Sequence, residues 1–243
     1  MPKTADEKAE VDQLPIRNVI GRLWWLALIS RPDIQCALHR CATWQNRPSI
    51  KLWKNLIDIV KYLAYTPHYG LVFTRPTSTH FLYAYCDAAF AGEAGSKSRW
   101  GYFFMCLGGL ISWNTKHTTR IVSSSTEAET HALVHTGKEN IWIREFLREL
   151  QIFTHIPVTN VFNDNKSALT LSTGGTCHKR SKHFGIEFDI FREYVTLEEI
   201  KLSHIRTEDL PADMLTKPLQ PHKFNVFRDL VMGGRDLQTY FDN

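Results

Sequence analysis

The sequence predicts an α/β protein in which a mixed five-stranded sheet is flanked by helices and preceded by a small helical segment. Two observations carry this. Apolar residues recur about every 3.6 positions up to "YGLVFTRPTSTH", residues 69–80, and about every 2 positions after it. Beyond that change, the segments read as an initial meander of strands, then helix, strand, two helices, strand and a short helix. A meander followed by alternating helices and strands is the pattern of a mixed sheet with helices packed on it.

Residues 1–13 are charged, lack aromatic residues and read as a disordered tail. Residues 14–75 read as helical in three pieces: "IRNVIGRLWWLALIS", then "RPDIQCALHRCATWQ" with Pro32 in a first turn, then "PSIKLWKNLIDIVKYLA". In the third piece Trp53, Leu56, Ile57, Val60 and Leu63 are spaced to form one apolar face.

Residues 76–232 carry the sheet. "FLYAYCDAAFAG" alternates as a strand, and "RWGYFFMCL" and "LISWNTK" form a hairpin whose turn is expected at Gly108-Gly109. "TRIVSSS" reads as a further short strand, leading to a helix from about Thr126 to Leu150. "VTNVFND" is the next strand and "NKSALTLS" a short helix; "KRSKHFGIEFDIFREYV" is a helix, "EIKLSHIRT" a strand and "LPADMLTKPL" a final short helix. Residues 233–243 read as a C-terminal tail.

Composition narrows the function classes. With 243 residues, 43% of them hydrophobic, the chain has enough apolar surface for a core. Its longest apolar run, "LWWLALI", is far short of a membrane span, and the polar N-terminus lacks a signal-peptide core, so the expectation is a soluble protein that is neither secreted nor membrane-bound. Five cysteines without a zinc or disulfide spacing read as reduced packing residues. A net charge of +4 permits a nucleic-acid partner without requiring one. No Asp-Asp pair occurs, so polymerase activity is not expected of this chain alone.

Four acidic positions stand where such a fold gathers side chains: Asp87 in the first strand, the Glu127/Glu129 pair at the start of the long helix, Asp164 at the end of a strand, and Asp213 in the last short helix. Each alone also reads as a cap or a solvated turn residue. Carboxylates collected without histidine or cysteine suit hard cations such as Mg²⁺ or Mn²⁺. Two such ions about 3.5 to 4 Å apart activate water and stabilise the leaving oxygen of a phosphodiester.

"YCDAAFAG", "GGLISWNTKHTTRIVSSSTEAETHAL", "IWIREFLREL", "FNDNKSAL", "SKHFGIEFDIFR" and "EDLPADMLTKPL" resemble, in this order, the ribonuclease H domain of copia-type retrotransposon Pol polyproteins. "LWWLALISRPDI" with "WKNLIDIVKYLAYTPHYGLVF" resembles the connection segment that precedes it in the reverse transcriptase. The resemblance implies a ribonuclease H-like fold and cleavage of the RNA strand of an RNA–DNA hybrid with two Mg²⁺ ions, Mn²⁺ being an alternative. It implies Asp87, Asp164 and Asp213 as catalytic metal ligands, the polymerase part of the same polyprotein as a partner, and a location in the cytoplasm, in the element's virus-like particle, or in the nucleus.

The fourth carboxylate is chosen by helix phase. With Thr126 as cap, Glu129 shares its face with Ala132, Leu133, Thr136 and Gly137, which is small and apolar enough to lie on a sheet. Glu127 shares a more polar face with Thr130, His131, Val134 and Lys138, so Glu129 is the catalytic candidate and Glu127 a helix-start carboxylate. For substrate binding, Lys179, Arg180 and Lys182 could follow phosphates or form a solvated basic turn, and Asn165 and Ser167 could donate to substrate or cap a helix. His204 sits in a strand, which argues against a catalytic role; Tyr83, Tyr85, Trp100 and Trp113 read as sheet packing. The competing reading is a retrotransposon-derived fragment that binds nucleic acid or a partner without catalysis.

Overall fold

Helices precede strands, as the change of period requires. The computed structural model describes residues 4–73, 81–92, 96–119, 121–151, 155–174 and 185–233. The chain divides into two units, Met1–Leu71 and Val72–Asn243.

In the first unit α1 (Ala5–Asp12), α2 (Ile16–Ile29), α3 (Gln35–Thr43) and α4 (Ile50–Tyr65) pack around Val11, Ile16, Ile20, Leu23, Ala27, Leu38 and Leu56. The expected N-terminal tail therefore contains a helix: Thr4 caps it by accepting from the Glu7 amide, and Val11 anchors it in the core. Pro32 opens a short 3₁₀ turn, Pro32–Ile34, ahead of α3. Ser49 caps α4, whose buried stripe is Leu52, Leu56 and Ile59. The expected face is thus rotated: Val60 is exposed and Trp53 and Leu63 only border the core. Two overlapping apolar stripes exist on α4, and packing selects between them. Arg31 forms a buried ion pair with Asp33 at 2.8 Å and donates to Thr66, while the Tyr62 hydroxyl donates to Asp33, so neither charge is left unpaired.

The second unit contains the mixed five-stranded sheet, in the order β3-β2-β1-β4-β5. Strands β1 (Leu82–Ala89), β2 (Arg99–Cys106) and β3 (Gly109–His117) are antiparallel neighbours; β4 (Thr159–Asn163) runs parallel to β1, and β5 (Ile200–His204) parallel to β4. The β2–β3 turn is Leu107-Gly108, both at positive φ, rather than Gly108-Gly109. Gly109 opens β3 instead, where a Cβ would fall 2.1 Å from the Phe73 ring. "TRIVSSS" forms no strand among its described residues; its serines lead into α5 (Ser125–Glu149), which Ser124 caps in place of Thr126.

Helix α5 lies over Leu82, Ala84 and Cys86 with Ala132 and Leu133, and Gly137 leaves room for Phe191 of α7 (Gly185–Thr196). α6 (Lys166–Thr173) follows β4, and α8 (Asp213–Thr216) packs against β1 and β2. A further helix, α9 (Pro221–Met232), follows where the sequence reading placed none; Pro221 at its first turn and the buried Phe227, Leu230 and Val231 are its signals. Trp100 is buried and stacks on His135, and Tyr85 stacks on Phe162, so these rings pack the sheet as expected. Among the described residues Cys36, Cys41, Cys86 and Cys106 are buried thiols.

Gly101 decides how α8 meets the sheet. It sits opposite Asp87 in the β1–β2 register, and a Cβ there would lie 2.7 Å from the Leu215 Cβ. Gly101→Val is expected to lower stability by about 1–3 kcal/mol through overpacking, read as a lower urea midpoint at unchanged m-value; an unaltered midpoint would show that α8 moves freely off the sheet.

Candidate active site

Two parallel neighbours, β1 and β4, end at the same edge of the sheet, which brings Asp87 and Asp164 together. The β1 strand carries Asp87 near its C-terminal end, and Asp164 directly follows Asn163, the last residue of β4. The buried face of α5 carries Glu129 to the same edge. One carboxylate oxygen from each of Asp87, Glu129 and Asp164 lies within 4.8 Å of the other two. Asp213, the first residue of α8, is fully buried beside them, linked to Asp87 through Lys217, whose ammonium is 2.7 Å from Asp213 Oδ1 and 3.8 Å from Asp87 Oδ2.

Each carboxylate has a neutral donor or a cation that fixes its position. Asn163, entirely buried, donates from Nδ2 to Glu129 Oε2 (2.8 Å) and to the Cys86 carbonyl (3.0 Å), while its Oδ1 accepts from the Asn165 amide. The Thr216 hydroxyl donates to Asp87, and the Thr207 hydroxyl donates to Asp164 at 2.7 Å. Lys223, from α9, donates to Asp213 Oδ2 at 2.9 Å and lies over the Phe227 ring.

Burial and mutual repulsion govern the titration. Burial, with Asp213 and Asp164 adding and Lys217 and Thr216 opposing, pushes the Asp87 carboxyl up to about 6. Burial also raises Glu129 well above its ordinary value, and Asp87 and Asp164 add to it. Burial works against the Lys217 ammonium, but Asp87 and Asp213 outweigh it and raise its pKa. The donor set is therefore hard oxygen in a crowded anionic pocket, which fits a divalent cation of the Mg²⁺ or Mn²⁺ class.

The sequence-selected acids fall into two groups: Asp87, Glu129 and Asp164 converge, whereas Asp213 is adjacent and engaged by two lysines. Glu127 behaves as the helix-start carboxylate, accepting from the Ser123 amide and hydroxyl while its own amide is capped by Ser124. Of its expected polar face, Thr130 and Val134 are buried. Asn165 caps α6 by accepting from the Ala168 amide, and Ser167 is exposed in that helix's first turn. His204 is exposed and pairs in register with Asn163. Lys179, Arg180 and Lys182 lie outside the described residues. The sequence reading missed Asn163, Thr216, Lys217 and Lys223; the first three sit within four residues of a selected acid, and that adjacency was the available signal.

Among the described residues no helix is long and apolar enough to cross a membrane. No protein-family model matches the chain. It is 36% identical over 231 residues, 95% of its length, to the retrovirus-related Pol polyprotein from transposon TNT 1-94 of Nicotiana tabacum. It is 34% identical over 218 residues, 89% of its length, to that from transposon RE2 of Arabidopsis thaliana. The chain spans 17% and 15% of the lengths of these two relatives. Among solved structures, LC11-RNase H1, isolated from compost, aligns over 94% of its chain and 57% of this one with a TM-score of 0.43 and 15% identity. At 34–36% identity across about nine-tenths of its length, the homologues of this chain are copia-type retrotransposon Pol polyproteins, of which it corresponds to a part.

Proposed function

We propose that the second unit is a metal-dependent ribonuclease H that hydrolyses the RNA strand of RNA–DNA hybrids within a retrotransposon reverse transcriptase. The observation that carries the reading is the convergence of Asp87, Glu129 and Asp164 within 4.8 Å in a chain whose homologues are Pol polyproteins. These three, with Asp213, are the residues that would hold Mg²⁺ or Mn²⁺, which when bound supplies Lewis-acid polarisation of the phosphodiester and a more acidic water.

The chain's own residues do the positioning. Asn163 holds the Glu129 carboxylate in place from the strand below, Thr216 and Thr207 do the same for Asp87 and Asp164, and β1 and β4 keep the two aspartates at one edge. Rigid strands and a buried helix face suit a reaction that depends on placement. Use of two ions would require Asp213 to exchange its contacts with Lys217 and Lys223 for the second ion. Substrate is selected by hybrid shape and the ribose 2′-hydroxyl rather than by base identity. Asn165 and Ser167, beside Asp164, are proposed contacts to the strand, as are Lys179, Arg180 and Lys182 to its phosphates. The connection-like first unit is proposed to join this nuclease to the polymerase part.

One observation favours the competing, non-catalytic reading: Lys217 and Lys223 already neutralise Asp213, as a purely structural ion-pair network does. Cleavage separates the two. The chain with Mg²⁺ is expected to cut only the RNA strand of a labelled hybrid, leaving all-RNA and all-DNA duplexes intact, and Asp87→Asn is expected to abolish cutting while hybrid binding persists. Binding without cutting by the folded wild-type chain would favour the non-catalytic fragment.

Glu129→Gln is expected to reduce cleavage to background. Glu127→Gln should leave most of it and reduce stability by only about 0.3–1 kcal/mol, the usual worth of a helix-start carboxylate. The reverse ranking in the same assay would reassign the site.

Stability should also respond to pH in chelator. Folding raises the Asp87 carboxyl from 3.8 to about 6, so the folded state binds its proton more tightly than the unfolded chain. The melting temperature should therefore fall as pH rises across that window; Asp87→Asn should flatten the fall, and Mg²⁺ at neutral pH should raise the melting temperature of the wild type. A melting temperature that climbs through the same window, or ignores Mg²⁺, would contradict the metal-site reading.

A further inference from the structure

The first unit has an electrostatic character that the carboxylate site does not use. From Met1 to Leu71 the sequence holds ten Lys and Arg against six Asp and Glu; four of the acids lie in α1, and the other two are paired, Asp33 with Arg31 and Asp58 with Lys61. Helices α3 and α4, with the turn between them, border a groove of about 650 Å³. Its floor includes the buried Leu52 and Ile59; Arg40, Arg47 and Lys51 line it together with Trp44, which is 46% exposed, and among the described residues no carboxylate lines it.

We infer that this groove binds an unpaired stretch of nucleic acid, with phosphates along Arg40, Arg47 and Lys51 and a base stacked on Trp44. Three cations without an acid among them favour a polyanion. An exposed indole beside them adds a flat apolar surface, which a phosphate chain cannot use but a nucleobase can. A base inside a duplex already has both faces stacked, so the indole is satisfied by a single-stranded segment. An acidic peptide would meet the same charges but would gain nothing specific from the ring. The inference does not depend on cleavage, since the groove belongs to the first unit and the carboxylates to the second.

The test is fluorescence anisotropy of a labelled single-stranded oligonucleotide titrated with the whole chain in chelator, over a series of salt concentrations. Trp44→Ala is expected to weaken binding by about five-fold or more, and Trp44→Phe to restore most of the loss. Replacing Arg40, Arg47 and Lys51 together by Gln should reduce the slope of log K against log salt by about 2, since each phosphate contact on a single strand contributes about 0.7. Circular dichroism establishes that each variant is folded. Unchanged affinity in Trp44→Ala, an unchanged salt slope in the triple variant, or an equal Trp44 effect on a blunt duplex would overturn the inference. So would an acidic peptide that competes as well as the oligonucleotide. Chelator removes cleavage from the measurement: a wild type that fails to cut hybrid but retains Trp44-dependent binding would defeat the ribonuclease reading alone.

Discussion

Repulsion among carboxylates at the common end of β1 and β4 is the constraint around which the second unit is organised. Two unit charges about 4 Å apart interact by about 4 kcal/mol at an effective dielectric of 20, several times the net worth of a typical hydrogen bond. Asp87, Glu129 and Asp164 approach this closely, and Asp213 lies just beyond them. At neutral pH the pocket must therefore hold protons, ammonium groups or metal. The structure supplies the second of these on one side only: Lys217 and Lys223 face Asp213, while Glu129 and Asp164 take donors from the uncharged Asn163 and Thr207. This asymmetry leaves the anionic side of the pocket suited to a cation from solution.

The scaffold holds that arrangement by close approach rather than by flexible side chains. Gly101 lets Leu215 reach the sheet next to Asp87, so α8 can present Thr216 and Lys217. Asn163 links the Cys86 carbonyl, Glu129 and the Asn165 amide, which joins the ends of both strands to the start of α5. A buried amide with its donors and acceptor satisfied fixes geometry because any displacement would leave a polar group unpaired.

The two units divide the electrostatics between them. The second concentrates acids in a buried pocket, and the first carries an excess of basic residues around an open groove with an exposed indole. Carboxylates that gather hard cations and a basic surface that gathers phosphates are complementary requirements for chemistry on a nucleic-acid strand.

Much of this was legible in the sequence because it is set by local chemistry. Apolar period separated helices from strands, and the 3.6-residue repeat placed Glu129, not Glu127, on the buried face of α5 even though the cap is Ser124 rather than Thr126. That the acids offer hard oxygen donors also followed from residue type alone. Tertiary structure decided what periodicity leaves degenerate or what depends on distant partners. On α4 two apolar stripes compete, and the neighbouring helices choose Leu52, Leu56 and Ile59; in the β2–β3 hairpin three consecutive residues could turn, and the fold places the turn at Leu107-Gly108, with Gly109 packed against the Phe73 ring. Lys217 and Lys223 acquire meaning only when α8 and α9 bring them to Asp213 beside Asp87, more than a hundred residues away in the chain. Sequence by itself thus determined which groups are present and which face of its helix each occupies, because those follow from backbone geometry. Folding alone determined which charges share one pocket, because Coulomb interactions depend on distance in space.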